Sequence, residues 1–381
     1  CGTQATGGNY AFLEELPDHR PPGFPLAEVR GDGSAVVTKH QGTGGLVSVG
    51  TVTAQLLYEI DGPAYQNPDV VARFDTVRVE QDGPDRVLLH GTHGEPAPER
   101  LKVAVNYLGG FRNSMSFVLT GLDVEAKAAM VTAALFERLG GRDRFQAAEV
   151  RLVGRPAPDP ASNEQAVAEL RVTVKDPDPA KVGRAFSNAA IELALASYPG
   201  CYTTTPPGDA TPYGVYWPAL VPAGAVEQVV VLDGGERLAV KPPTPTAPPA
   251  AAGAPPAPSR PEPAGGPTVR APLGRAFGAR SGDKGGNANV GVWARDPQGY
   301  AFLVSFLTEE RLRELLPEAR GLPVRRHELP NLLALNFVVV GLLGEGVSSS
   351  TRIDPQAKGL GEWLRARVVD LPAALVDQQG G

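Results

Sequence analysis

The residues best suited to chemistry lie in two glycine-rich stretches. The first is Lys39-His40-Gln41-Gly42-Thr43-Gly44-Gly45, ahead of a helix expected from Thr51. A glycine turn followed by a helix N-terminus suits an anion. Lys39, Thr43, Gly44 and Gly45 are therefore candidate anion contacts, and His40 is a candidate general base with no evident partner in the sequence. An ordinary strand-to-helix turn is the competing reading. The second stretch, Ser281-Gly282-Asp283-Lys284-Gly285-Gly286-Asn287-Ala288-Asn289, lies between two apolar runs. Consecutive N–H groups in such a turn form an anion-binding concavity. Lys284 adds a point charge suited to phosphate or carboxylate, and Asp283 is placed to orient it. Arg280, Ser281 and Asn287 complete this candidate set. A tight hairpin whose glycines supply positive φ is the alternative. Neither spacing is a Walker A loop or a dinucleotide fingerprint, so no nucleotide site follows.

Two cysteines occur, Cys1 and Cys201. Cys1 sits among Thr3, Gln4, Thr6 and Asn9, polar groups fit to line a pocket, and is a candidate catalytic nucleophile. Cys201 follows an expected helix end, whose dipole opposes a thiolate, so it reads as packed. His90 and His93 lack further ligands at zinc-like spacing, so no metal site is expected. No resident cofactor is expected either. No Gly-x-Ser-x-Gly elbow is present, which argues against an α/β-hydrolase. The chain begins at Cys1 and reads as a fragment or trimmed chain; processing that exposes an N-terminal nucleophile is the alternative.

These residues must be held by a folded frame, and the composition provides for one. Of 381 residues, 42% are hydrophobic and 20% charged, with a net charge of −6. Residues 1–241 carry −8 and residues 268–381 carry +2. Neither value marks a phosphate-backbone binder, so no nucleic-acid partner is expected. No run approaches the ~18 apolar residues of a membrane span. So few cysteines fit a reducing cytoplasm.

Strands expected across 70–112 and 150–174 alternate with helices at Asp123–Leu139 and from Asp178, and this makes residues 1–241 part of an α/β domain. Residues 242–267 hold 11 prolines and 7 alanines. Such a segment favours extended polyproline II and reads as an interdomain linker reaching up to ~80 Å. In residues 268–381, strands are expected at Leu273–Ala279, Val290–Ala294, Tyr300–Phe306, Val324–Leu329 and Leu335–Leu343, the last apolar throughout and therefore central. Helices are expected from Thr308 and from Asp354-Pro355. This is a small open α+β sandwich of ferredoxin-like type.

Several motifs then resemble one family. The opening Cys1–Asn9, the run Thr38–Val47, the run Gln55–Ile60, Pro68-Asp69-Val70 and Gly83–Val87 resemble the acyclic terpene utilisation (AtuA) family. Ala279–Asn289 and Leu335-Asn336-Phe337 are similar to its ferredoxin-like C-terminal domain. Members carry further sequence upstream of the cysteine-glycine opening, and the proline-alanine segment here is longer than the family leads one to expect. The resemblance implies a bacterial, cytoplasmic, catabolic protein that acts on or binds branched acyl-CoA-type substrates, with CoA entering as part of the substrate. A lyase, hydrolase or hydratase activity fits this. So does a non-catalytic binding or assembly subunit, as a homo-oligomer or with partner acyl-CoA enzymes. The family supplies no catalytic residues to transfer.

Overall fold

Along the strand Asn287–Trp293, Ala288, Val290 and Val292 alternate with Asn289, Gly291 and Trp293, and both rows are buried. A strand buried on both rows needs cover on both faces of its sheet. The computed structural model, which describes residues 2–204, 206–248 and 262–376, shows how each face is covered. The sheet runs Gly278–Lys284, Asn287–Trp293, Ala334–Val339, Val324–Leu329, with every neighbouring pair antiparallel. On one face Val290, Val292, Leu335 and Phe337 pack with residues of three helices, Pro297–Phe306, Glu309–Leu315 and Leu360–Arg365. On the other, Trp293, Leu329 and Ala334 meet Tyr10, Phe12, Ala54, Leu57 and Ile60 from the N-terminal part of the chain.

That second contact is close. A Cβ at Gly291 would lie 2.5 Å from Leu57 Cβ, and one at Gly282 would lie 2.7 Å from Glu59 Cγ. Glycine at these two strand positions lets the chain after the helix Val49–Leu56 lie flat on the sheet. The helix itself is capped by Ser48, whose hydroxyl accepts the Thr51 N–H while Thr51 Oγ1 accepts the Ser48 N–H. Residues of both regions therefore belong to one compact unit, Cys1–Val105 with Pro218–Val347 and Arg352–Gly381. A sheet of Pro25–Val29, Ala35–Lys39, Arg86–His90 and Arg78–Gly83 completes its N-terminal part. The expected linker has its centre, 249–261, outside the described residues. Its ends are pinned within this unit: Thr246–Ala247 pairs with Ala97–Pro98, and Pro267 O accepts the Ala373 N–H.

The second unit, Asn106–Trp217 with Ser348–Thr351, is built differently. In chain order it has the strand Arg100–Thr120, which it enters at Asn106, helix Val124–Arg138, strands Ala147–Val153 and Val167–Asp176, helix Arg184–Glu192 and strand Tyr202–Thr203. The sheet order is second, third, first, fourth, with antiparallel neighbours. This βαββαβ connection is the ferredoxin-like split βαβ motif. Phe117, Leu135, Leu170, Val172 and Phe186 form its core.

Several local expectations are corrected. Leu273–Ala279 is not one strand: Leu273–Arg275 forms a 3-10 turn, and the strand begins at Gly278. Tyr300–Phe306 is helical, not a strand. Asp296 accepts the Gly299 N–H, Pro297 opens the helix, and Tyr300, Ala301, Leu303 and Val304 are all buried. A short apolar run buried all round has no period by which strand and helix can be told apart. With that change the C-terminal sheet is two hairpins separated by two helices. Asp354 does not start the last helix; its carboxylate accepts the Lys358 and Gly359 N–H groups, and the helix begins at Leu360. Ser281–Asn289 is not a loop: only Gly285-Gly286 turns, and the rest lies in paired strands.

We expect Gly291→Ala to lower the free energy of unfolding by about 1–3 kcal/mol, because the new methyl overlaps Leu57. Gly224→Ala, which meets open space, serves as the control. Urea midpoints decide it, and equal midpoints would contradict the close approach.

Candidate functional site

Past the helix Val49–Leu56, Glu59 takes a left-handed conformation, φ 59°, and donates its N–H to Asn289 Oδ1 at 2.7 Å. Asn289 is fully buried and donates from Nδ2 to Asn336 Oδ1. Tyr58 and Glu59 are thereby fixed over the strand Gly278–Lys284. From the opposite side comes the loop 354–359. Ser281 Oγ donates to Lys358 O at 3.2 Å and accepts the Gly361 N–H at 2.7 Å, so one hydroxyl ties this loop to the sheet.

These constraints bring Lys358 to Tyr58 and Glu59. Its ammonium donates to Tyr58 Oη and to Glu59 Oε1, the latter at 2.5 Å, and lies 3.5 Å from Asp283 Oδ1. Burial makes Lys358 less basic than an ordinary lysine. Burial, and then the neighbouring Asp283, raise the Glu59 carboxyl above its usual range, against the pull of Lys284 and Arg280. Two carboxyls that face one ammonium hold a proton more readily than either would alone.

Arg280 also lies against the Tyr58 ring, its guanidinium 4.7 Å from the centroid, while Lys358 Nζ is at 4.4 Å. With its amide turned to satisfy both ends, Gln4 accepts from Arg280 Nε at 2.9 Å and donates to Gln55 Oε1 at 2.7 Å. The Asn9 carbonyl is 3.5 Å from Arg280 Nη1. All these partners of Arg280 are neutral. Burial works against its charge, with Glu59 and Glu362 opposing that effect from a distance.

A cavity of about 1250 Å³ opens here, its wall including Gln4, Tyr10, Tyr58, Arg280, Arg295 and Lys358. That exceeds the ~300–1,000 Å³ of ordinary small-molecule pockets. Arg295 is paired with Glu15 at 2.5 Å. Arg365, also on the wall, is held by both oxygens of Glu362 at 2.8 and 2.9 Å. Among the described residues, Arg280 thus differs from them in having no carboxylate within hydrogen-bonding distance. Among the described residues, no group of His, Cys, Asp and Glu could hold a metal ion.

Of the residues singled out in the sequence, Arg280, Ser281 and Asp283 converge here. Lys284 is half-buried 5.4 Å from the Tyr65 ring, its ammonium made less basic by burial and then by Lys102. Asn287 Oδ1 accepts the Gly341 N–H. Lys39 is elsewhere: its ammonium donates to Thr43 O and Gly44 O at 2.9 and 3.2 Å and lies 3.5 Å from Asp85. Thr43 Oγ1 donates to His40 O, and the His40 side chain is exposed. Gly44 and Gly45 abut the backbones of Arg20 and Thr6, where a Cβ would come within 2.0 Å of a carbonyl oxygen. Cys1 lies outside the described residues. Tyr58, Glu59, Lys358 and Asn289 were not foreseen as site residues, whereas Thr3, Gln4 and Asn9, expected to line a pocket, do stand on the cavity wall. The one sequence signal of the unforeseen residues was that Asn289 and the Tyr58-Glu59 pair fall inside family-like runs.

Residues 1–232 match the family model described as acyclic terpene utilisation family protein AtuA, and residues 271–370 match the AtuA ferredoxin-like domain. The chain belongs to the acyclic terpene utilisation family. No curated protein and no solved structure matches it. Membership implies a role in acyclic terpene utilisation. The AtuA match supplies Gln4, Tyr58 and Glu59; the ferredoxin-like match supplies Arg280, Ser281, Asp283 and Lys358. Among the described residues, no helix of this AtuA chain is long and apolar enough to cross a membrane.

The raised Glu59 carboxyl has a sign. The folded chain binds the Glu59 proton more tightly than the unfolded chain does. This contribution to stability is present below the ordinary glutamate range and is lost as pH rises through the raised value. Glu59→Gln removes it. Relative to wild type, the variant gains stability as pH rises from the ordinary glutamate range through the raised value. Melting temperatures of both proteins across that range check this, and a constant difference would refute it.

Proposed function

We propose that this AtuA family protein binds and acts on branched acyl-CoA-type thioesters within acyclic terpene utilisation. One observation carries the reading: Arg280 reaches the cavity wall beside Lys358 with, among the described residues, neutral hydrogen-bond partners. A guanidinium held this way is free to meet an oxygen anion or a polarised carbonyl of a ligand. The size of the cavity, the phenol of Tyr58 and the ammonium of Lys358 add room and proton-transferring groups. The reaction would fall among lyase, hydrolase and hydratase chemistry, in the cytoplasm, with the CoA moiety brought by the substrate.

A second reading, a non-catalytic binding or assembly subunit, is favoured by the hairpin Gln228–Val231 and Arg237–Val240, on which Val230, Val231, Leu238 and Val240 are exposed. Such a ribbon is suited to another copy of the chain or to a partner acyl-CoA enzyme.

Calorimetric titration with a panel of branched acyl-CoA thioesters, with mass spectrometry following their turnover, separates the two: binding without turnover favours the subunit. We expect wild type to bind and Arg280→Ala to bind about 10-fold to 100-fold more weakly, as loss of a charge-assisted contact implies. Its melting temperature should stay near that of wild type. A wild-type chain that binds none of the panel, or a variant that binds equally well, would overturn the proposal.

A further inference from the structure

Resting on that reading of the cavity, we infer that Tyr58 is the catalytic base of this site. In this assignment Lys358 holds its oxygen as a phenolate, and Arg280 faces the enolate formed from the acyl group. The geometry has three parts. The Lys358 ammonium donates to Tyr58 Oη and so balances negative charge there. Tyr58 is 7% exposed, and it contributes to the cavity wall. Arg280 lies against the same ring with, among the described residues, neutral hydrogen-bond partners.

The step balances without a further reactant. Tyr58 O⁻ takes a proton from the carbon next to the thioester carbonyl. The C–H bond breaks and a phenol O–H forms. The released electron pair makes the carbon–carbon double bond of the enolate, and the carbonyl π pair moves to oxygen, where Arg280 supplies the counter-charge. The reverse step returns a proton to carbon. Between the two, the phenol proton exchanges with solvent through Lys358 and the Glu59–Asp283 pair. Among the described residues, the charged groups packed about the Tyr58 ring and its partners are Arg280 and Asp283 on the strand Gly278–Lys284, Lys358 on its loop and Glu59 on its own segment, while Glu362 on the helix Leu360–Arg365 acts on Arg280. Lys358 acts through Tyr58 and is a positioning residue.

The experiment uses the full chain and isovaleryl-CoA in deuterated water. Mass spectrometry follows deuterium entering the carbon beside the carbonyl, and calorimetry follows binding. Wild type binds and exchanges. Tyr58→Phe binds within about 3-fold of wild type, and its exchange falls by about 100-fold or more. Lys358→Gln moves the rising limb of the pH–rate profile to higher pH, toward an ordinary phenol, while Lys358→Arg stays near wild type. If Tyr58→Phe fails to fold, the two Lys358 profiles decide the assignment. Wild type that binds isovaleryl-CoA without exchange overturns this assignment and leaves the binding reading intact, as does unchanged exchange in Tyr58→Phe. Wild type that binds no thioester overturns both.

Discussion

The buried amide of Asn289 governs the arrangement of the site. Its Oδ1 takes the N–H of Glu59 at the point where the backbone turns left-handed after the helix Val49–Leu56. A non-glycine residue in that conformation is costly and persists only where its surroundings compensate it. Here the compensation is a hydrogen bond to a fully buried acceptor, made at short range because Gly282 and Gly291 leave room. Remove the amide and the Glu59 N–H is left without its acceptor, which costs more than the bond itself is worth. Tyr58 and Glu59 point at Lys358 because of this one attachment.

The charges around Tyr58 follow from the same packing. An ammonium carried into a partly buried position needs partners, and Lys358 finds a phenol oxygen and two carboxyls. Burial, and then the closeness of Asp283, push the Glu59 carboxyl up. Arg280 takes the other route, with an amide, a carbonyl and an aromatic face as its partners. Its hydrogen-bonding partners are neutral, and Glu59 and Glu362 act on its charge only from further away. On the wall of the cavity, Arg295 and Arg365 are paired with carboxylates, while Arg280, among the described residues, has none within hydrogen-bonding distance.

The frame was more legible in the sequence than the site. Its unbroken apolar run marked Leu335–Leu343 as a central strand, and the strand Ala334–Val339 does lie inside its sheet, though it ends short of Leu343; Thr308 announced its helix by capping the Arg311 N–H. Tyr300–Phe306 was misread because its apolar run has no polar face. The βαββαβ order of the second unit could not be read from its elements one by one, because strand order depends on long-range pairing. At the site, Arg280, Ser281 and Asp283 were visible because a strand next to a glycine turn concentrates polar groups. Lys358 was not: it stands in an unremarkable stretch, and only the turn closed by Asp354 and the tether from Ser281 give it a direction.

Glycine misled in an informative way. Lys39–Gly45 and Ser281–Asn289 both read as cradles for an anion, on the ground that glycine exposes backbone N–H groups. In the folded chain Gly44, Gly45 and Gly282 admit another segment instead. The N–H of Gly45 bonds to Asp18 O, and Lys39 is taken up by the carbonyls of its own loop. Such close approach leaves little space for a ligand at the glycines themselves. It does bring distant side chains into contact. Glu59 and Lys358, 299 positions apart, meet at 2.5 Å because a glycine in the intervening strand has no side chain. The chemistry of this chain therefore belongs to the residues that the glycines allow to meet.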